Sequence, residues 1–187
     1  MFHVKQRKNK TKEMEHLKKN LRLTPDFPQK GILFRDVTTL FSDNKSLEIM
    51  EDKIYELYKD KGITKIVGIE SRGFVLGAII ARKLNAGLVL CRKKGKLPGE
   101  TISTTYNKEY GTDTIEIHKG SINENDVVLI HDDLLATGGT IKAAWELVKK
   151  FNPKQCFMNF IIEIRDEGLK GREFIGNDIE ITTLIKD

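Results

Sequence analysis

Apolar positions in this chain recur with helical and strand periods in turn. From Ser46 to Lys61, Leu47, Met50, Ile54, Leu57 and Tyr58 fall three or four residues apart and predict a helix with one buried face, stopped at Gly62. Lys65 to Ile69 is a short apolar run, which predicts a strand buried on both faces. Phe74 to Leu84 is apolar almost all round and predicts a helix packed between the sheet and a partner surface, and Gly87 to Cys91 predicts the next strand. A further strand begins at Val127, followed by a helix with Ile141, Ala144, Trp145, Val148 and Phe151 on one stripe and Asn152-Pro153 as its end. Cys156 to Ile164 and Ile179 to Ile185 predict two more strands. Such alternation predicts an α/β fold, a mainly parallel twisted sheet flanked by helices on both faces.

The two ends of this pattern are weaker. Met14, Leu17 and Leu21 predict a short helix over Glu13 to Leu23, ended by Thr24-Pro25, with Pro28 to Asp36 as a loop. Between Cys91 and Ile115 no period survives, and a stretch of that length inside a compact domain is usually a lid or a binding loop. A solvated β-hairpin arm is the plainer alternative. The cations Lys93, Lys94 and Lys96, the Pro98-Gly99 pair and Glu109-Tyr110 favour a lid that closes over an anionic substrate.

The strand that starts at Val127 carries Asp132 and Asp133, which are expected to emerge at its carboxyl end, where open α/β sheets bind ligands. Two adjacent carboxylates can accept hydrogen bonds from two vicinal hydroxyls. Ala136, Thr137, Gly138, Gly139 and Thr140 follow, small enough for the backbone to approach a phosphate, with a helix N-terminus behind them. A nucleoside-triphosphate loop would carry a lysine after the glycines. This chain has Gly-Gly-Thr instead, which suits a single terminal phosphate, so the order of parts points to a pentose phosphate. The plainer alternative, a buried strand with an acidic solvated turn, does not account for acids, glycines, threonines and amphipathic helix in that order.

The segment Asp132-Asp133-Leu134-Leu135-Ala136-Thr137-Gly138-Gly139-Thr140 resembles the phosphoribosyl pyrophosphate motif of the type I phosphoribosyltransferases, in the form used by the adenine-specific branch. Pro25-Asp26-Phe27-Pro28, Gly31 to Asp36, Gly68 to Phe74, Arg92 to Glu100, Glu109-Tyr110-Gly111 and Leu169-Lys170-Gly171-Arg172-Glu173 resemble that branch in the same order, over about residues 14 to 187. The resemblance implies the type I phosphoribosyltransferase fold, with a small N-terminal hood at about 13–40 and a flexible lid at about 92–114. It implies a pentosyltransferase of purine salvage, moving 5-phosphoribosyl from phosphoribosyl pyrophosphate to N9 of adenine and yielding AMP and pyrophosphate. It also implies a homodimer.

Within that expectation, Ala136 to Thr140 would hold the 5′-phosphate, and Asp132 and Asp133 the ribose hydroxyls. Ser71 and Arg72, after a cis peptide between Glu70 and Ser71, would cradle the pyrophosphate with Arg92, Lys93 and Lys96. Charge grows on both fragments as the anomeric bond loosens, so cations must meet the leaving group. Mg²⁺ is the expected cofactor, held by substrate oxygens near Asp132 and Asp133 with no direct protein ligand. Hypoxanthine-guanine relatives have an aspartate where this chain has Ala136, so the resemblance assigns the proton transfer at the base to Glu109, with Tyr110 beside it and Arg72 completing the catalytic set. Adenine recognition would fall to Leu33, Phe34, Arg35 and Ile164. Two features depart from the pattern: Arg165 to Gly168 makes a longer connection than usual, and His131, where an aliphatic residue is common, reads as a strand-end substitution rather than a base.

Composition narrows the alternatives. At 187 residues the chain is expected to form one domain from residue 13 onward. The net charge of +5 comes from Lys5, Arg7, Lys8, Lys10 and Lys12, all before the first acid, Glu13, while the remaining 27 basic residues balance 27 acidic ones. The body is neutral and no nucleic-acid groove is expected; residues 1–12 read as a basic disordered tail. That tail is poor in serine and leucine and makes a poor mitochondrial presequence. Cys91 and Cys156 lack metal-ligand spacing and read as reduced thiols in strands, and no apolar stretch is long enough to span a membrane, so a cytoplasmic location is expected. Two other functions remain: a sensor that binds phosphoribosyl pyrophosphate without turnover, against which stand Arg92, Lys96, Glu109 and Tyr110, and a 6-oxopurine salvage enzyme, against which stands Ala136.

Overall fold

The computed structural model describes residues 2–107, 111–165 and 168–187. The chain divides into two compact units, 1–52 and 53–187, where the sequence predicts one domain beginning at residue 13.

The first unit contains α1 (Phe2–Asn20), β1 (Arg22–Pro25), β2 (Leu33–Asp36), α2 (Thr38–Phe41) and the start of α3 (Asn44–Tyr58), whose C-terminal part belongs to the second unit. Helix α1 extends back over the stretch expected to be a disordered tail, which is rich in the good helix formers lysine, glutamine and arginine. It stops at Asn20 because the next residues pair: β1 and β2 form an antiparallel ribbon from Arg22 opposite Asp36 to Pro25 opposite Leu33. The expected loop from Pro28 to Asp36 is therefore half strand. Asp43 gathers the start of α3, accepting from the Ser46 amide at 2.9 Å, the Ser46 hydroxyl at 2.6 Å and Asn20 Nδ2 at 2.9 Å. The Ser46 bonds, with His16 beside them, hold the Asp43 carboxyl well below the usual range.

The second unit continues with β3 (Lys65–Ile69), α4 (Gly73–Lys83), β4 (Gly87–Lys93), β5 (Thr101–Asn107), β6 (Thr112–His118), β7 (Val127–Leu135), α5 (Gly139–Lys149), β8 (Gln155–Glu163), α6 (Gly171–Ile175) and β9 (Glu180–Lys186). These strands form one sheet in the order β5-β6-β4-β3-β7-β8-β9. The five strands from β4 to β9 run parallel, while β6 is antiparallel to both β4 and β5. The region expected to be a lid is thus largely a hairpin at the sheet edge, paired over seven positions from Thr101 opposite His118 to Asn107 opposite Thr112. Its threonines and isoleucines favour strand. Strand β5 offers only Ile102 and Tyr106 as apolar positions, too few to announce a period.

Successive residues on β3 serve opposite faces. Gly68 lets α4 lie close, and a Cβ on Gly77 of that helix would rest 3.7 Å from both Ile66 Cγ2 and Leu88 Cδ1. On the other face Val67, Ile69, Val128 and Ile130 join Ile141, Ala144, Trp145 and Val148 of α5 in the main core. Helices on both faces and a mainly parallel sheet therefore follow from the pattern. The chain passes from β3 to β4 on one side and returns as β7 on the other, and the reversal leaves a crevice at the carboxyl ends of β3 and β7.

Candidate active site

Strand β7 pairs with β3 only as far as His131, opposite Gly68, but runs on beside β8 to Leu135. Asp132 and Asp133 therefore lie inside the strand rather than past its end, on the side where β3 has already stopped. Gly73, the first residue of α4, fits against that bared edge: a Cβ there would sit 2.7 Å from His131 O and 3.1 Å from Asp132 Oδ1. Absence of a side chain at Gly73 lets the Ser71-Arg72 turn reach β7. The peptide before that turn, Glu70–Ser71, is cis.

The two acids differ. Asp133 is buried and accepts a hydrogen bond from Arg72 Nε, whereas Asp132 is half-buried and its Oδ1 accepts from the Asp133 amide at 2.9 Å. Burial first, and the charge of Asp133 second, push the Asp132 carboxyl well above the ordinary carboxylate range. The two acids thus sit differently: Asp132 borders the crevice, and Asp133 anchors Arg72.

Ala136, Thr137 and Gly138 form the loop that follows. Gly138 is left-handed, with φ of 83°, and caps α5 without any side-chain hydrogen bond. The first turn of that helix contains no acid. The amides of Gly139 and its neighbours thus meet an anion with favourable polarity. The loop is seated on Gly171: a Cβ on Gly138 would lie 2.7 Å from Gly171 O, and one on Gly171 would collide with Ala136 O. Thr137 is exposed and Thr140 half-buried, its Oγ1 3.0 Å from the Tyr106 hydroxyl.

Gly171 is itself braced. Arg172 grips Glu163 at the end of β8 with Nε and Nη2, each at 2.8 Å, and its Nη1 donates to Ile181 O at 3.0 Å. Thr183 adds a hydroxyl to Glu163 at 3.1 Å. The Arg172 hydrogen bonds are the main reason why the Glu163 carboxyl is pulled down to about 2. Sequence reasoning gave this Arg172–Glu163 brace no role, although Gly171-Arg172 lies in one of the motifs that carried the resemblance.

The cations expected to meet pyrophosphate are mostly held by carboxylates. Arg92 forks onto Glu70 at 3.2 and 3.3 Å and donates to Lys96 O at 3.0 Å, while the Lys93 amide donates to Glu70 at 2.9 Å. Burial would raise the Glu70 carboxyl, but these donors win and lower it. The amides of Gly95, Lys96 and Leu97 all donate to Glu116 Oε1, at 2.9, 3.1 and 3.2 Å, so the turn has a fixed base. The side chains of Lys93 and Lys96 stay exposed.

Leu33, Phe34 and Arg35 are consecutive on β2 in the first unit, where the Phe34 ring meets Phe27 edge to face at 5.0 Å and Arg35 is buried with Nη1 donating to Leu33 O at 2.7 Å. Ile164 belongs to the second unit, buried directly after β8, its amide bonded to Leu135 O at 3.0 Å. Glu109 and Tyr110 lie outside the described residues. His131 sits fully buried inside β7, its Nδ1 3.0 Å from Asn159 Oδ1 and its Nε2 without a partner; burial pushes it down to about 4. It is a neutral core residue, in the strand rather than at its end.

Comparison with known proteins agrees with this geometry. Residues 36–165 match the phosphoribosyl transferase domain. The adenine phosphoribosyltransferase of Bacteroides thetaiotaomicron is 58% identical over 171 residues, covering 91% of this chain and 96% of that protein. That of Bacteroides fragilis is 59% identical over 167 residues, covering 89% and 93%. Among solved structures, adenine phosphoribosyltransferase from Rhodothermus marinus superposes with a TM-score of 0.88 at 42% identity, over 95% of this chain and 99% of that one. The enzyme from Giardia lamblia complexed with 9-deazaadenine gives 0.87 at 42% identity, over 93% and 97%. With the Ala136–Thr140 loop, the paired acids and the sheet reversal already in one crevice, the chain belongs to the adenine phosphoribosyltransferase family of the type I phosphoribosyltransferases.

Proposed function

We infer that this chain transfers the 5-phosphoribosyl group of phosphoribosyl pyrophosphate to N9 of adenine, forming AMP and pyrophosphate. The observation that carries the reading is the loop from Ala136 to Thr140, seated on Gly171 with helix amides directed at it and Asp132 beside it. A terminal phosphate on the loop leaves the sugar hydroxyls near Asp132 and directs the anomeric carbon along the crevice toward Arg72. Arg72, fixed through Nε on Asp133, meets the charge that develops on departing pyrophosphate. Ser71, Arg92, Lys93 and Lys96 complete the surroundings of that group, with Glu70 and Glu116 shaping the segment that bears them.

Mg²⁺ fits this donor set. Substrate oxygens would supply most ligands, with Asp132, half-buried at the crevice, and Asp133 nearby. When bound, the ion would neutralise pyrophosphate and stabilise its departure. Leu33, Phe34, Arg35 and Ile164 are the proposed contacts of adenine. Glu109, with Tyr110, would manage the proton at the base, since Ala136 offers no carboxylate in the loop.

The reading includes a homodimer in the cytoplasm. No helix among the described residues is long and apolar enough to cross a membrane. The thiols of Cys91 and Cys156 are pushed up by burial to about 12 and about 11, which suits inert core residues. Incubation with Mg²⁺, phosphoribosyl pyrophosphate and adenine should yield AMP and pyrophosphate in equal amounts. Binding of phosphoribosyl pyrophosphate with no product would instead identify a sensor.

A further inference from the structure

Strand β5 is fastened along the whole of α5. At the C-terminal end of the helix Lys150 Nζ donates to Ser103 O at 2.9 Å, and along its length Ile102 and Tyr106 pack on the main core. At the N-terminal end the Tyr106 hydroxyl lies 3.0 Å from Thr140 Oγ1, and a Cβ on Gly139 would come within 3.9 Å of Asn107 O. Among the described residues, the edge hairpin thus comes up to the Ala136–Thr140 loop with the Tyr106 phenol and the Asn107 carbonyl.

A threonine hydroxyl has one proton to give and two lone pairs to accept with. If the phenol donates to Thr140, the threonine proton turns away from Tyr106 and becomes available to an anion in the loop. We propose that Tyr106 is a positioning residue for the 5′-phosphate: it donates to Thr140, fixes that hydroxyl as a donor to a terminal phosphate monoester, and ties phosphate occupancy to the edge hairpin. The proposal rests on the reading of Ala136 to Thr140 as the 5′-phosphate site. Hydrogen bonds in series strengthen one another, so a phosphate dianion on Thr140 tightens the Tyr106 contact in turn.

The test compares Tyr106→Phe, Thr140→Val and their combination in the full chain, by calorimetry with ribose 5-phosphate and with pyrophosphate as separate probes, alongside Tm. Tyr106→Phe should weaken ribose 5-phosphate roughly 3- to 10-fold, the worth of one hydrogen bond, and leave both pyrophosphate affinity and Tm unchanged. In the Thr140→Val background the same change should add nothing. Unchanged ribose 5-phosphate affinity in Tyr106→Phe, with a clear loss in Thr140→Val, overturns the role of Tyr106 and leaves the phosphate site standing. No loss in either variant overturns both. A lowered Tm with equal weakening of the two probes, or additive losses in the double variant, makes Tyr106 a structural strut and overturns the proposal.

Discussion

The two ends of the crevice are organised by different physics. At the proposed phosphate end, shape dominates: Gly138 and Gly171 bring two backbones together, and the N-terminus of α5 has no side-chain cap and no acid in its first turn. At the proposed pyrophosphate end, charge dominates: Asp133 holds Arg72, Glu70 holds Arg92, and Glu116 holds the amides of residues 95–97. A backbone site formed by packing is ready before ligand arrives. An ion-paired site must share its cations between carboxylate and substrate. One end therefore tolerates little change in volume, and the other little change in charge.

The largest effect should come from neither end. Since the proposed phosphate loop carries Ala136 in place of an acid, the proposal gives the chemistry at the base to Glu109, and Glu109→Gln should lower kcat roughly 10²- to 10⁴-fold. Ribose 5-phosphate should bind that variant normally. Near-full kcat, under conditions where chemistry limits turnover, would remove Glu109 from the mechanism.

Gly171→Ala probes the shape-dominated end. The new methyl would push Ala136 and the loop away from the ligand, and a displacement of about 1 Å is enough to lower kcat/KM roughly 10²-fold. Pyrophosphate affinity should hardly change. Equal loss for pyrophosphate and ribose 5-phosphate would mean that the two ends are not independent.

Arg72→Ala probes the charge-dominated end and should lower kcat/KM about tenfold or more while also lowering Tm, because Asp133 would remain buried without its cation. Adding Asp133→Asn should restore Tm without restoring activity. Recovery of both in thermal unfolding and rate measurements would show that Arg72 serves only to neutralise Asp133.

The smallest effects lie in acid stability, under the phosphate loop. Glu163 has its folded pKa lowered from 4.5 to about 2, so the stability it adds is complete above pH 4.5 and is lost as pH falls toward 2. His131 is lowered by burial from 6.5 to about 4, so its contribution is complete above pH 6.5 and is lost toward pH 4. Tm should fall in these two stages. Glu163→Gln should flatten the lower one, which is worth on the order of 2 kcal/mol after allowing for solvent around Arg172, and His131→Gln should flatten the upper. An unchanged lower stage in Glu163→Gln would remove the brace from the account.

Much of this comparison was legible in the sequence on the side of shape. The core strands announced themselves because burial on both faces leaves an unbroken apolar run: Lys65–Ile69 has the predicted limits, and the stripe from Ile141 to Val148 faces the core. The motif after Val127 identified the loop, because glycine at 138 is required both by its φ and by the approach of Gly171. The ribbon of β1 with β2 and the hairpin of β5 with β6 were hidden, since β1 is too short for a period and β5 bears Thr, Ser and Asn with only Ile102 and Tyr106 apolar. The charge-dominated end was legible only as a set of cations. Which carboxylate holds which cation depends on contacts such as Arg72 with Asp133, 61 residues apart, and Arg92 with Glu70, 22 apart, which no local pattern encodes.

The most direct measurement compares kcat/KM for adenine and hypoxanthine with saturating Mg²⁺ and phosphoribosyl pyrophosphate. A pocket built for a 6-amino group leaves buried polar atoms unpaired against a 6-oxo group, so adenine should be preferred by roughly 10⁴-fold. Comparable values for the two bases would contradict the account and turn it toward 6-oxopurine salvage.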